Sequence, residues 1–191
     1  MHRREYEGPS GIPYSGKEFE YDLFSQVGTR DEKYLADYRA MQPAENGWLP
    51  WHKALELVKK HQPWADPANP SKDFFRELLI AVQEKLGIDT KNDPDAIQAY
   101  TAVGTPLDVF HGVDAFITMT VDGHEEIVTL DATLDSKKIE DGGKADEIVT
   151  DLPSVEDDQD GYLEAIDALA ERIARRLKNQ EPRSSKQAAA E

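Results

Sequence analysis

The sequence contains no cysteine. That excludes disulfides, thiolate metal sites and cysteine nucleophiles, and it fits a reducing compartment, so a cytoplasmic location is the expectation. No apolar run of about 18 residues occurs either, so no membrane-spanning helix is expected. The N-terminus, Met1-His2-Arg3-Arg4, leads into polar residues rather than the apolar segment of a signal peptide. Basic residues are scarce: 22 Lys and Arg stand against 38 Asp and Glu in 191 residues, a formal net charge of −16. The strings H-E-x-x-H and G-x-S-x-G and the Walker-type glycine loop are all missing, which leaves zinc-protease, hydrolase-elbow and P-loop chemistry without support.

What is present suffices for one domain. Hydrophobic residues make up 39% of the chain and charged residues 31%, a balance that suits a core of roughly 100–150 residues with tails. The charge is unevenly placed. Residues 104–160 carry 16 acidic side chains and only three basic ones, Lys137, Lys138 and Lys144. Such a surface repels phosphate backbones and suits bound cations or basic protein partners; the plain alternative is that it serves solubility.

Residues 1–29 mix glycine, proline, serine and charge with scattered aromatics, so an N-terminal arm over 1–45 is expected to be largely irregular, its aromatics docking on the body or on a partner. A short helix is expected from Asp31 to Met41, and another from Pro50 to His61, where Trp51, Leu55 and Val58 recur at helical spacing. The clearest helix spans 71–86: Ser71 caps it, Phe75, Leu78, Leu79, Val82 and Leu86 form its apolar stripe, and Gly87 stops it. One or two helical turns are expected over Asp95–Ala102. The period then changes to two, predicting strands over 112–121 and 126–134, with a shorter one near 147–150. A last helix is expected over 162–178, followed by a disordered low-complexity tail at 181–191. The fold class is α/β or α+β: one globular domain over 46–180, its small central sheet built on the 112–134 hairpin and packed by the helices at 71–86 and 162–178.

Asp122-Gly123 is a two-residue hairpin signal, because both central positions of a type I′ turn need positive φ. With that turn as centre, Ala115 faces Leu130 and Ile117 faces Val128, so the apolar faces match; a four-residue loop would also keep the face parity. In the first register Asp114 opposes Asp131, with Cβ atoms roughly 4.5–5.5 Å apart. Like charges so placed need a divalent cation, a basic side chain or a shared proton to neutralise them. A Mg²⁺ or Mn²⁺ on the two carboxylates and water is one answer, since hard cations prefer oxygen. A salt bridge to Lys137, Lys138 or an arginine of the last helix is another.

The segment Gly-Val-Asp-Ala-Phe-Ile (112–117), the turn, and Ile-Val-Thr-Leu-Asp-Ala-Thr (127–133) resemble the core hairpin of the PD-(D/E)xK nuclease superfamily. There, an Asp on one strand and an acidic-x-Lys on the next bind Mg²⁺, and the preceding helix often adds a Glu. The resemblance covers about residues 71–138. It implies Asp114 and Asp131 as metal ligands, Mg²⁺ or Mn²⁺ as cofactor, DNA or RNA as substrate and phosphodiester hydrolysis as the reaction. The chain departs from the pattern in three ways. Thr133 stands where the lysine belongs, and a hydroxyl supplies no positive charge; Lys137 or Lys138, reaching in from the strand end, would take the catalytic place. Glu77 and Glu84 lie opposite the apolar stripe of the helix at 71–86. No helix is evident between the second strand and the one near 147–150. A degenerate, inactive relative is therefore also compatible. So is a non-enzymatic domain that binds a protein partner through its acidic face or its N-terminal aromatics.

Of the five histidines, His111 and His124 lie nearest the hairpin acids. A His111–Asp114 metal pair would need an irregular segment, and His124 reads as a solvated turn residue. His52 and His61 read as surface residues. Trp48, Trp51 and Trp64 read as core or docking residues, and Arg172, Arg175 and Arg176 as the counter-charge to the acidic body.

Overall fold

The structure, a computed structural model, describes residues 15–89, 92–121, 123–135, 144–150 and 152–179. In chain order the described elements are α1 (Gly16–Phe24), α2 (Glu32–Ala40), α3 (Trp51–Lys60), α4 (Asp73–Leu86), β1 (Ile97–Thr101), α5 (Pro106–His111), β2 (Ala115–Val121), β3 (His124–Ala132), β4 (Glu147–Val149) and α6 (Gln159–Asn179). The fold is mixed α and β, with a four-stranded sheet in the order β1-β2-β3-β4. The first three strands form an antiparallel meander, and β4 runs parallel to β3.

Helices cover both faces of the sheet, and period-two side-chain alternation divides the core accordingly. Ala115, Ile117, Val128 and Leu130 pack with Phe24, Phe75, Leu78, Leu79 and Ile173 from α1, α4 and α6. Phe116 and Tyr100, stacked at 4.9 Å, lie in the opposite cluster with Leu55, Leu57, Val58 and Leu107 from α3 and α5. The β2–β3 register is the one the Asp-Gly turn predicts: Ala115 pairs with Leu130, Ile117 with Val128 and Val121 with His124. Gly123 has φ +79°, as such a turn needs.

Several expectations are corrected. Residues 1–29, expected to be largely irregular, include a helix: Ser15 and Glu18 form a reciprocal capping box that starts α1, and Phe19, Leu23 and Phe24 bury its inner face. Residues 97–101 form β1 rather than helical turns; Ile97 and Ala99 face one core while Tyr100 faces the other, and pairing with β2 satisfies the backbone. Helix α4 begins at Asp73 with Lys72, not Ser71, at the cap position. His124 is the first residue of β3, not a turn residue. His61 is not a surface residue: its Nε2 lies 2.8 Å from Asp37 Oδ2, and its ring packs edge-on against Tyr34.

Gly87 does end α4, in the left-handed conformation at φ +71° and ψ +30°, with open space where a Cβ would sit. Only backbone strain therefore opposes a side chain there. Gly87→Ala is expected to cost about 1 kcal/mol in chemical denaturation, with an unchanged denaturant slope.

Candidate metal centre

Three elements converge on one acidic site. The Ser15 cap and the burial of Phe19 and Leu23 orient α1 so that Glu20 lies at the site. Thr105 caps α5 through the Leu107 N–H, Pro106 pre-sets its first turn, and Asp108 follows. Gly112 then closes α5 in the left-handed conformation and delivers Asp114 to the start of β2. One carboxylate oxygen from each of Glu20, Asp108 and Asp114 lies within 4.8 Å of the others. Oxygen-only ligands at such spacing suit a hard divalent cation such as Mg²⁺ or Mn²⁺.

Backbone donors hold two of these groups. Asp114 Oδ2 accepts from the Ala132 N–H at 2.8 Å, and Asp108 Oδ2 accepts from the Gly104 N–H at 2.8 Å. The carboxyl groups of Asp108 and Asp114 act on each other, and two like charges so placed favour a shared proton. Asp114 is only 3% exposed. Burial, reinforced by the charges of Glu20, Asp108 and Asp131, pushes its carboxyl up to about 8 despite the Ala132 hydrogen bond. Burial likewise raises Asp108, while its hydrogen bonds and the nearby Lys17 ammonium pull the other way. A cation would replace the proton as the neutralising charge.

Asp131, expected to face Asp114 directly, does not do so in a regular pair. The β2–β3 ladder stops at Ala115–Leu130, the Asp114 N–H donates to Leu130 O at 2.9 Å, and Asp131 pairs with Ile148 of β4 instead. The Asp131 carboxylate is still close enough for its charge to act on Asp108 and Asp114, but it is not one of the three converging carboxylates. Thr133 is buried, and its Oγ1 accepts from the Asp135 N–H at 3.1 Å, so it stabilises a local turn. Lys137 and Lys138 lie outside the described residues. His111 bonds Leu49 O at 2.9 Å and packs against Trp51, so it has no part in the acidic site. Glu77 has one oxygen buried, its charge acts on Tyr162 of α6, and it does not join the cluster. Arg172 and Arg176 do answer an acid of the body: both reach Glu147, at 2.8 and 2.5 Å.

Glu20 and Asp108 are the site residues that sequence reasoning missed, and both carried a signal. Ser15-Gly-Lys-Glu18 is a capping-box string, and Phe19 and Leu23 four apart mark the face that helix buries. Thr105-Pro106-Leu-Asp108 is likewise a helix start, which places Asp108 in the first turn. Compared with protein-family models, with curated proteins and with solved structures, the chain matches none.

Proposed function

We propose that the protein is a metal-dependent nucleic-acid domain of the PD-(D/E)xK kind, with Mg²⁺ or Mn²⁺ held by Glu20, Asp108 and Asp114. The observation that carries this reading is the convergence of three carboxylates from three separate elements on one partly buried point. The resemblance of the hairpin supplies the reaction class, phosphodiester hydrolysis. In that reading Glu20 takes the place of the helix glutamate, and Asp131 adds negative charge beside the ligands. A bound cation would acidify its water and offset charge on the phosphate. The chain's own part is to fix the ligands: the Ala132 and Gly104 N–H groups orient Asp114 and Asp108 before any metal arrives. Positive charge for the phosphate would come from Lys137 or Lys138, with Thr133 at the usual lysine position supplying none.

The test is incubation of the whole protein with DNA and RNA, single- and double-stranded, in millimolar Mg²⁺ or Mn²⁺. Cleavage that a chelator abolishes is the expected result. Metal-dependent nucleic-acid binding without cleavage would identify a degenerate relative. If neither occurs, the reading falls, and the acidic face is better explained as a surface for a basic protein partner.

A further inference from the structure

On the far side of α5 from Asp108 lies an open cavity of about 280 Å³, lined by Tyr34, Tyr38, Gly47, Gly104, Pro106 and Phe110 among others. In a chain with 38 acidic residues, no charged or histidine side chain is among the described residues lining it. Tyr34 and Tyr38 stack nearly parallel, at 6.2 Å and 14°. The Tyr38 hydroxyl donates to Gly47 O at 2.9 Å and so fixes the loop that forms one wall. A side chain at Gly47, where φ is +88°, would meet that hydroxyl at 2.9 Å and the Phe110 ring at 3.8 Å, so the glycine keeps this wall open. The cavity and the acidic site share one turn of chain. Gly104 lines the cavity while its N–H holds the Asp108 carboxylate.

We infer that this cavity receives a nucleobase of the nucleic acid whose phosphate the acidic site engages. An uncharged, aromatic-walled space with amide and backbone polar groups at its edges suits a flat, neutral, polar-rimmed ring system. Its volume falls just below the range of roughly 300–1,000 Å³ typical of small-molecule pockets, which suits one base rather than a larger ligand. Stacking on aromatic rings is tolerant of base identity, so the pocket would hold the strand with little sequence preference. The inference rests on the proposed phosphodiester chemistry for its substrate class, but the pocket itself needs neither metal nor phosphate.

That independence sets the experiment: saturation-transfer NMR on the whole protein with adenosine and thymidine, which carry no phosphate, in the absence of metal. Saturation of the base protons is expected. Tyr38→Ala should weaken binding by roughly five- to a hundredfold, the scale of a lost base–aromatic stack. Val109 is 66% exposed beside the cavity, so Val109→Glu leaves the fold intact, and its carboxylate at the mouth should also abolish transfer. Asp114→Asn should bind nucleosides like the wild type. No saturation in the wild type, or saturation unchanged in both pocket variants, would overturn the inference. Nucleoside binding that fails in the pocket variants, in a protein that neither binds metal nor cleaves, would support the pocket while removing the metal-centre reading.

Discussion

Asp114→Asn is expected to unfold at a higher temperature than the metal-free wild type, and to lose both stabilisation by Mn²⁺ and any hydrolytic activity. The opposed signs follow from one geometry. Asp114 is buried among Glu20, Asp108 and Asp131, and its carboxyl is pushed up to about 8 from 3.8. The folded protein therefore binds a proton there that the unfolded chain releases near pH 4. Stability from this group is full below about pH 4 and is lost as pH rises towards 8. Asparagine removes the titration and keeps an oxygen for the Ala132 N–H, so the variant should lack that decline. At pH 8 its midpoint should exceed that of the metal-free wild type by about 5 °C or more, each kcal/mol being worth roughly 2–4 °C at this chain length. With metal the order reverses. At a hundredfold excess over its dissociation constant, a ligand stabilises by about 2.7 kcal/mol, which the wild type gains and the variant does not. On the proposed metal-dependent chemistry, loss of one ligand would remove several kcal/mol of transition-state stabilisation, so hydrolysis should fall at least roughly a hundredfold. Calorimetry at pH 5 and 8, with and without Mn²⁺, checks the stability half of the prediction.

The second large effect lies on the edge strand β4, where Glu147 pairs with Leu130. Glu147 of β4 is 7% exposed and is held by Arg172 and Arg176, one turn apart on α6. The two guanidiniums are near half-exposed, so each alone contributes modestly, and a single Arg→Met change leaves the other in place. Removing both strands a buried carboxylate. Arg172→Met with Arg176→Met should cost about 3 kcal/mol, the lower end of the range for breaking a buried pair, and lower the midpoint by roughly 10 °C. Adding Glu147→Gln to the double variant should recover most of the loss, because the residual cost is the unpaired charge and not the missing contact. Three thermal unfolding curves decide it.

The contrast between these sites marks what the sequence made legible. Where local pattern and tertiary structure agree, the elements were readable: the α4 stripe from Phe75 to Leu86, Gly87 as its stop, and the Asp-Gly turn that sets Ala115 against Leu130. Arg172 and Arg176 were readable as counter-charge in kind, though not in partner. β1 was not readable, because Gln98 and Ala99 suit a helix as well as a strand, and only pairing with β2 decides. The acidic site was half legible. Asp114 and Asp131 follow from the hairpin, but the strand register breaks at Asp114, whose backbone bonds Leu130 while its carboxylate turns to Ala132. The other two carboxylates of the cluster, Glu20 and Asp108, come from α1 and α5, and their approach to β2 depends on contacts between elements far apart in the chain. The capping strings at Ser15 and Thr105 announce those helices without saying where they dock.

The most direct test of the central claim is a Mn²⁺ titration followed by electron paramagnetic resonance, on the wild type, Asp114→Asn and Glu20→Gln. The free-ion signal should be quenched to a stoichiometry of one by the wild type, with at least tenfold weaker binding in each variant. Unquenched Mn²⁺ in the wild type, or equal quenching in all three proteins, would contradict a metal centre built from these carboxylates.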